Sequence, residues 1–251
     1  MGLTEGTTYY VRAYATNDEG TSYSEEQEFR TLLIFYGNVH LSNQADIDEF
    51  GLNNYTEILG SLSIGNIFTD GNDMPSDLTP LIALTTVSDN LSIFVTNLIT
   101  LDGLDNLENI HALYLIANPF LEDISSLSIN DNLSYLTLDY NPSLVSLEPL
   151  ENLIELQLLR LSRMSITSLE VFENLESISS LDIRECENLT NLNGLSNISY
   201  ISDDYTWYIS NNSALTSLEG LSNAIGEGGF SLYLQNNNLC LLYTSPSPRD
   251  A

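Results

Sequence analysis

The chain has 251 residues, 6 basic and 35 acidic side chains, and a formal net charge of −29. That charge excludes a nucleic-acid binder, which needs a basic patch to displace counterions from phosphate, and adsorption to anionic membranes. With 43% hydrophobic residues the chain is too apolar for a disordered acidic tail. No apolar run approaches the roughly 20 residues of a membrane helix, and two Cys cannot staple a fold of this length.

The first 31 residues read as a β-hairpin. Leu3-x-x-Gly6-Thr7-x-Tyr9-x-Val11-x-Ala13-x-Ala15 alternates with period two, Asn17 to Gly20 is a turn cluster, and Tyr23 to Thr31 reads as the returning strand. This stretch resembles the last two strands of a fibronectin type III domain, with Leu3, Thr7 and Tyr9 where that family places its tyrosine corner. The resemblance implies that earlier strands are missing and that Met1 is an internal methionine or a fragment start. A lone hairpin is marginal in water, so it is expected to pack weakly or lean on the residues C-terminal to it. Residues 32–38 are expected as a linker. Ser42 to Phe50, with acidic residues in its first turns, reads as a short capped helix that closes the start of an array.

The array announces itself by self-similarity. The pattern apolar-x-apolar recurs at Leu62/Ile64, Leu91/Ile93, Leu113/Leu115, Leu136/Leu138, Leu159/Leu161, Leu181/Ile183, Trp207/Ile209 and Leu232/Leu234, 22 to 29 residues apart. Three residues beyond the second apolar position stand Asn118, Asn141, Cys186, Asn212 and Asn237, and apolar residues then fall every third position, as in Leu144, Leu147, Leu150 and Leu153. One such unit cannot bury its own apolar face, but stacked units share a core. The short strands stack about 4.8 Å apart, and the Asn amide satisfies backbone groups that a tight bend leaves unpaired.

This pattern resembles leucine-rich repeat proteins and, more closely, the receptor L-domain subtype of bacterial surface proteins, over residues 39–239. The resemblance implies a mainly β fold: a right-handed solenoid of short parallel strands, with the N-terminal β-hairpin as a remnant ahead of it. Two departures stand out. Met164 replaces the ladder Asn, and Asn66 to Asp77 is an insertion after the first strand. Repeat eight stops at Leu239 without a cap, so the natural chain is expected to continue. Residues Cys240 to Asp250 back-translate to a string that resembles the transposon-derived adapter of short-read sequencing libraries, and 240–251 are expected to be non-native.

The chemistry-bearing residues are sparse. Cys186 falls on the ladder, where a small buried group is wanted, and neither Cys has a metal-type partner nearby in sequence. His40 and His111 lie far apart in a linear stack. Asp203-Asp204, Asp46/Asp48/Glu49 and Glu170/Glu173 fall on turns or the helix, with nothing to bury one carboxyl and raise its pKa as glycosidase chemistry requires. No phosphate loop, nucleophile elbow or zinc helix occurs. The chain therefore reads as a non-enzyme that needs no cofactor. Asp70-Gly71-Asn72-Asp73 with Asp77 crowds hard oxygen ligands round a glycine, but not at EF-hand spacing, so no metal is expected and Ca²⁺ is the alternative.

The outward strand positions are the strongest lead. Between the inward pairs lie Ser63, Ser92, Tyr114, Thr137, Arg160, Asp182, Tyr208 and Tyr233, and just beyond lie Phe94, Ile116, Asp139, Ser162, Arg184, Ser210 and Gln235. Tyr and Arg anchor recognition surfaces. Tyr114, Tyr135, Arg160, Asp182, Arg184, Tyr208 and Tyr233 are thus the candidate ligand-binding residues, for an acidic or hydroxyl-rich ligand. The competing reading is that Arg160 forms ion pairs with Asp182 and Asp139 on neighbouring strands. The family resemblance implies an extracellular or cell-surface bacterial module that recognises protein or glycan. The alternatives are a structural spacer or an accessory domain of a larger surface enzyme.

Overall fold

The computed structural model describes residues 2–67, 73–127, 132–199, 206–227 and 231–239. Strand outweighs helix, 35% to 12%, so the fold is mainly β, and it is organised round one large parallel sheet.

The hairpin comes first. Strand β1 (Thr8–Val11) pairs antiparallel with β4 (Gln27–Arg30), and β2 (Tyr14–Asn17) with β3 (Gly20–Tyr23). The two arms expected to run unbroken are each split in the middle. There the Ser24 hydroxyl accepts from Ala13 N–H (3.0 Å), and Arg12 pairs with Glu26 (2.9 Å). The turn holds because Asn17 Oδ1 accepts from Glu19 and Gly20 N–H, the local bonding that makes Asn a turn residue. The Tyr9 hydroxyl accepts from Thr4 N–H at 2.8 Å and so ties the start of the chain to the strand. Every strand residue of the hairpin except Tyr9 is exposed.

The parallel sheet begins earlier than the sequence pattern indicates. Residues 32–38, expected as a linker, hold β5 (Ile34–Tyr36), which pairs with β7 (Glu57–Leu59). Next, β6 (Val39–Leu41) pairs with β8 (Leu62–Ile64). Helix α1 (Gln44–Gly51) lies between β6 and β7 and packs on β6 and the 3₁₀ turn Thr79–Leu81. Its N-cap is Asn43, whose side chain accepts from Asp46 N–H, while Asp46 accepts from Ser42 N–H. This is a reciprocal cap one residue later than Ser42. Phe50 of α1 meets Phe35 and Tyr55 at 5.8 and 5.2 Å between ring centres, and these rings close the β5 end of the core.

The sheet then grows in sequence order through β9 (Thr86–Phe94), β10 (Asn109–Ile116), β11 (Tyr135–Asp139), β12 (Glu155–Ser162), β13 (Ser177–Arg184), β14 (Thr206–Ser210) and β15 (Ser231–Gln235). The register is in phase: Leu62, Leu91, Leu113, Leu136, Leu159 and Leu181 stand side by side, as do Ile64, Ile93, Leu115, Leu138, Leu161 and Ile183. All of these are 0% exposed, as are Trp207 and Ile209. The single Trp fits because its indole N–H donates to Ser179 C=O at 3.1 Å.

The period-three apolar residues have a simple cause. Leu150 N–H donates to Leu147 C=O and Leu153 N–H to Leu150 C=O, and the same i to i+3 bonds recur at Leu169/Phe172/Leu175 and Leu192/Leu195/Ile198. Tight 3₁₀-type bonding places i and i+3 on one side, and here that side is buried. A last short helix, α2 (Ser222–Glu227), packs against the 3₁₀ turn Glu219–Leu221.

The expected Asn positions form a buried ladder. Asn118 and Asn141 donate through Nδ2 to Ile93 and Leu115 C=O, while Asn141 Oδ1 accepts from both Asn118 N–H and Asn118 Nδ2. Thr96 starts the series by donating to Asn118 Oδ1 at 2.8 Å. Met164 costs its turn a donor, because a thioether cannot donate as the ladder Asn does; its Sδ only accepts weakly from Asn141 Nδ2, 3.9 Å away. The series resumes as Cys186 N–H donates to Asn212 Oδ1 and Asn212 N–H to Asn237 Oδ1. Just before each ladder residue the chain turns through positive φ, at Val95, Ala117, Tyr140, Arg163, Glu185, Asn211 and Asn236.

Candidate recognition surface

Strand alternation sends every second side chain to the outward face. The register lines them up as one unbroken row: His40, Ser63, Ser92, Tyr114, Thr137, Arg160, Asp182, Tyr208 and Tyr233. Phe94, Ile116, Asp139, Ser162, Arg184, Ser210 and Gln235 form the next row. Tyr135 lies on the same face in a third row, beside Ala112 and Leu158. The seven candidate residues therefore share one face.

The face changes character along its length. Towards β6 it is aromatic, with His40 stacked on Phe94 (6.2 Å) and His111 edge-on to Tyr135 (5.5 Å). The Tyr135 hydroxyl donates to Gln157 Oε1. The middle is ionic. Arg160 Nε donates to Asp182 at 3.0 Å, and Arg184 Nε donates to the other oxygen of the same carboxylate. Arg163 grips Asp139 with two bonds of 2.9 and 2.7 Å, and this pairing raises the Arg163 pKa above its usual value. Towards β15 the face is aromatic again. Tyr208 and Tyr233 stand 5.7 Å apart and are exposed, and the Arg184 guanidinium lies 4.8 Å from the Tyr208 ring centre.

Asp182, expected to meet a ligand, does not face solvent. Its side chain is 6% exposed, because two guanidinium groups cover it. It positions Arg160 and Arg184, which are themselves 47% and 41% exposed. The suggested pairing of Arg160 with Asp139 is corrected too, since Asp139 belongs to Arg163. Thr137 is not among the seven candidates, because its sequence marks it only as an ordinary strand threonine. It is 4% exposed, and its Oγ1 has no hydrogen-bond partner among the described residues. Tyr140 also falls outside the sequence pattern. It sits at a positive-φ corner with Arg163 5.5 Å from its ring centre, beside a shallow groove that Glu185 and Glu187 also line.

The other candidates lie off this face. Cys186 is fully buried, and that burial pushes its thiol up to about 11, so it is not a nucleophile at neutral pH. Glu170 and Glu173 are exposed at a 3₁₀ turn, and Asp46, Asp48 and Glu49 belong to α1. Among the described residues no group of three His, Cys, Asp or Glu is placed to hold a metal. Asp70, Gly71 and Asn72, Asp203 and Asp204, and the 240–251 segment lie outside the described residues. No helix among the described residues is long and apolar enough to cross a membrane. No family model matches the chain, and a search of curated proteins finds no match.

Proposed function

We propose that the chain is a non-catalytic recognition module that binds protein or glycan through the outward face of its parallel sheet. The parallel strands in phase, the Asn ladder and the 3₁₀ connections support reading residues 39–239 as a right-handed, leucine-rich repeat solenoid of the receptor L-domain kind. The Tyr9 to Thr4 bond and the antiparallel arms support reading the hairpin as the end of a fibronectin type III-like domain. That pairing of modules suits a bacterial protein working at the cell surface or outside it.

The observation that carries the reading is the exposed Tyr208/Tyr233 pair on a rigid sheet, with Arg184 fixed beneath Tyr208. Amphipathic rings held in place with little remaining freedom are effective anchors. The ion pairing of Arg160, Arg163 and Arg184 favours a second reading, a structural spacer, in which the face merely satisfies itself. A protein and glycan array probed with the full chain separates the two. Recognition predicts binding that Tyr208→Ala/Tyr233→Ala reduces at least tenfold, an anchor loss of about 1.4 kcal/mol or more. A spacer predicts no selective binding.

A further inference from the structure

Three features converge between β11 and β15. The first is Thr137, which lies between Tyr114 and Arg160 in the outward row. Its Oγ1 is buried and has no partner among the described residues, an unfavourable arrangement unless a bound group completes it. The second is a charge surplus. Asp182 is one carboxylate shared by two guanidinium groups, so this trio carries one formal positive charge, with Glu185 at the corner beside it, in a molecule of net charge −29. Both arginines use Nε for Asp182, and both remain half-exposed. The third is the Tyr208/Tyr233 pair, which offers exposed rings next to the polar side chains of Ser210 and Gln235.

We propose that this stretch binds a short saccharide bearing a carboxylate. This rests on the recognition reading above and names its ligand class. The carboxylate meets Arg160 and Arg184, whose planar forks suit it. A ligand oxygen engages the Thr137 hydroxyl, beside Arg160 in the outward row. The tyrosine rings take the apolar face of a sugar ring. Thr137 and Tyr233 are four strands apart, about 19 Å at the usual strand spacing, which a short oligosaccharide spans. A polyanion does not fit, because the surplus is a single charge and the rest of the molecule repels anions.

The test is an array of uronate- and sialate-containing saccharides, each beside its methyl ester, probed with the full chain and followed by titration of any bound pair. The free acid should bind about tenfold more tightly than its ester, the equivalent of one charge-assisted contact. Thr137→Val should weaken binding about tenfold while leaving the thermal midpoint and Trp207 emission unchanged or the midpoint higher. Arg160→Ala should remove the difference between acid and ester, and Tyr233→Ala should weaken both equally. Equal binding of acid and ester, no binding of either, or full affinity in Thr137→Val overturns the proposal. If neutral sugars or peptides bind instead and are lost in Tyr208→Ala/Tyr233→Ala, the saccharide class is wrong but the recognition face stands. Binding that survives that double variant removes both.

Discussion

At the scale of single residues, the fold depends on side chains that satisfy or strain the backbone. Asn118, Asn141, Asn212 and Asn237 are legible from spacing because each unit makes the same bend and leaves the same carbonyl unpaired. Thr96 serves the same ladder, but its type breaks the pattern. The role of Asp182 is hidden from the sequence because two arginines converge on it from different rows, which no linear spacing reveals. This sharing predicts non-additivity. Arg160→Ala or Arg184→Ala alone leaves Asp182 one partner and should cost about 1 kcal/mol or less, since each arginine is half-exposed. The double variant strands a buried carboxylate and should cost about 3–5 kcal/mol. Urea unfolding of the three variants checks this, and strict additivity would show that Asp182 is not shared. Val95 gives a second prediction. It is β-branched yet sits at φ 54, a conformation that disfavours L-residues by roughly 1–2 kcal/mol. Asn211 and Asn236 occupy the same corner in later units. Val95→Asn should therefore stabilise the chain by about 1 kcal/mol, read as a rise in thermal midpoint.

Between elements, a tight constraint lies where successive 3₁₀ turns stack. A Cβ on Gly194 would sit 1.7 Å from Leu169 C=O, and one on Gly220 would sit 1.9 Å from Leu192 C=O. These turns contact one another in series, so each glycine lets one unit close on the last. Gly194→Ala should cost about 2–3 kcal/mol by overpacking, whereas Ser196→Ala, at the end of the same turn, should be nearly neutral. A neutral Gly194→Ala would show that the units are spaced more loosely. The parallel strands themselves are legible because their inward pairs recur in phase. The break in the hairpin and the cap at Asn43 are not, because both depend on side-chain to backbone bonds that several neighbouring residues could have made. Strand β5 is equally hidden, because Ile34-Phe35-Tyr36, like Glu57-Ile58-Leu59 of β7, lacks the apolar-x-apolar signature that marks β8 and β9 to β15.

For the molecule as a whole, the net charge of −29 is the dominant electrostatic fact. Of the arginines in the described residues, Arg160, Arg163 and Arg184 sit within two neighbouring strands and their corner, together with Glu155, Asp182 and Glu185, while most of the carboxylates are spread elsewhere. Self-repulsion of this kind weakens the compact state and is screened within about 10 Å at 0.1 M salt. The thermal midpoint should therefore rise by several degrees between about 10 mM and about 500 mM NaCl. A fall would mean that the ion pairs on the sheet face outweigh the repulsion. The central claim, that the outward face is a recognition surface, is tested most directly by array binding of Tyr208→Ser/Tyr233→Ser against Val145→Ser, an exposed apolar control in the connection after β11. The account predicts that the tyrosine variant loses binding at least tenfold, a loss of about 1.4 kcal/mol or more, while the control matches the wild type. Equal binding by all three proteins would contradict it.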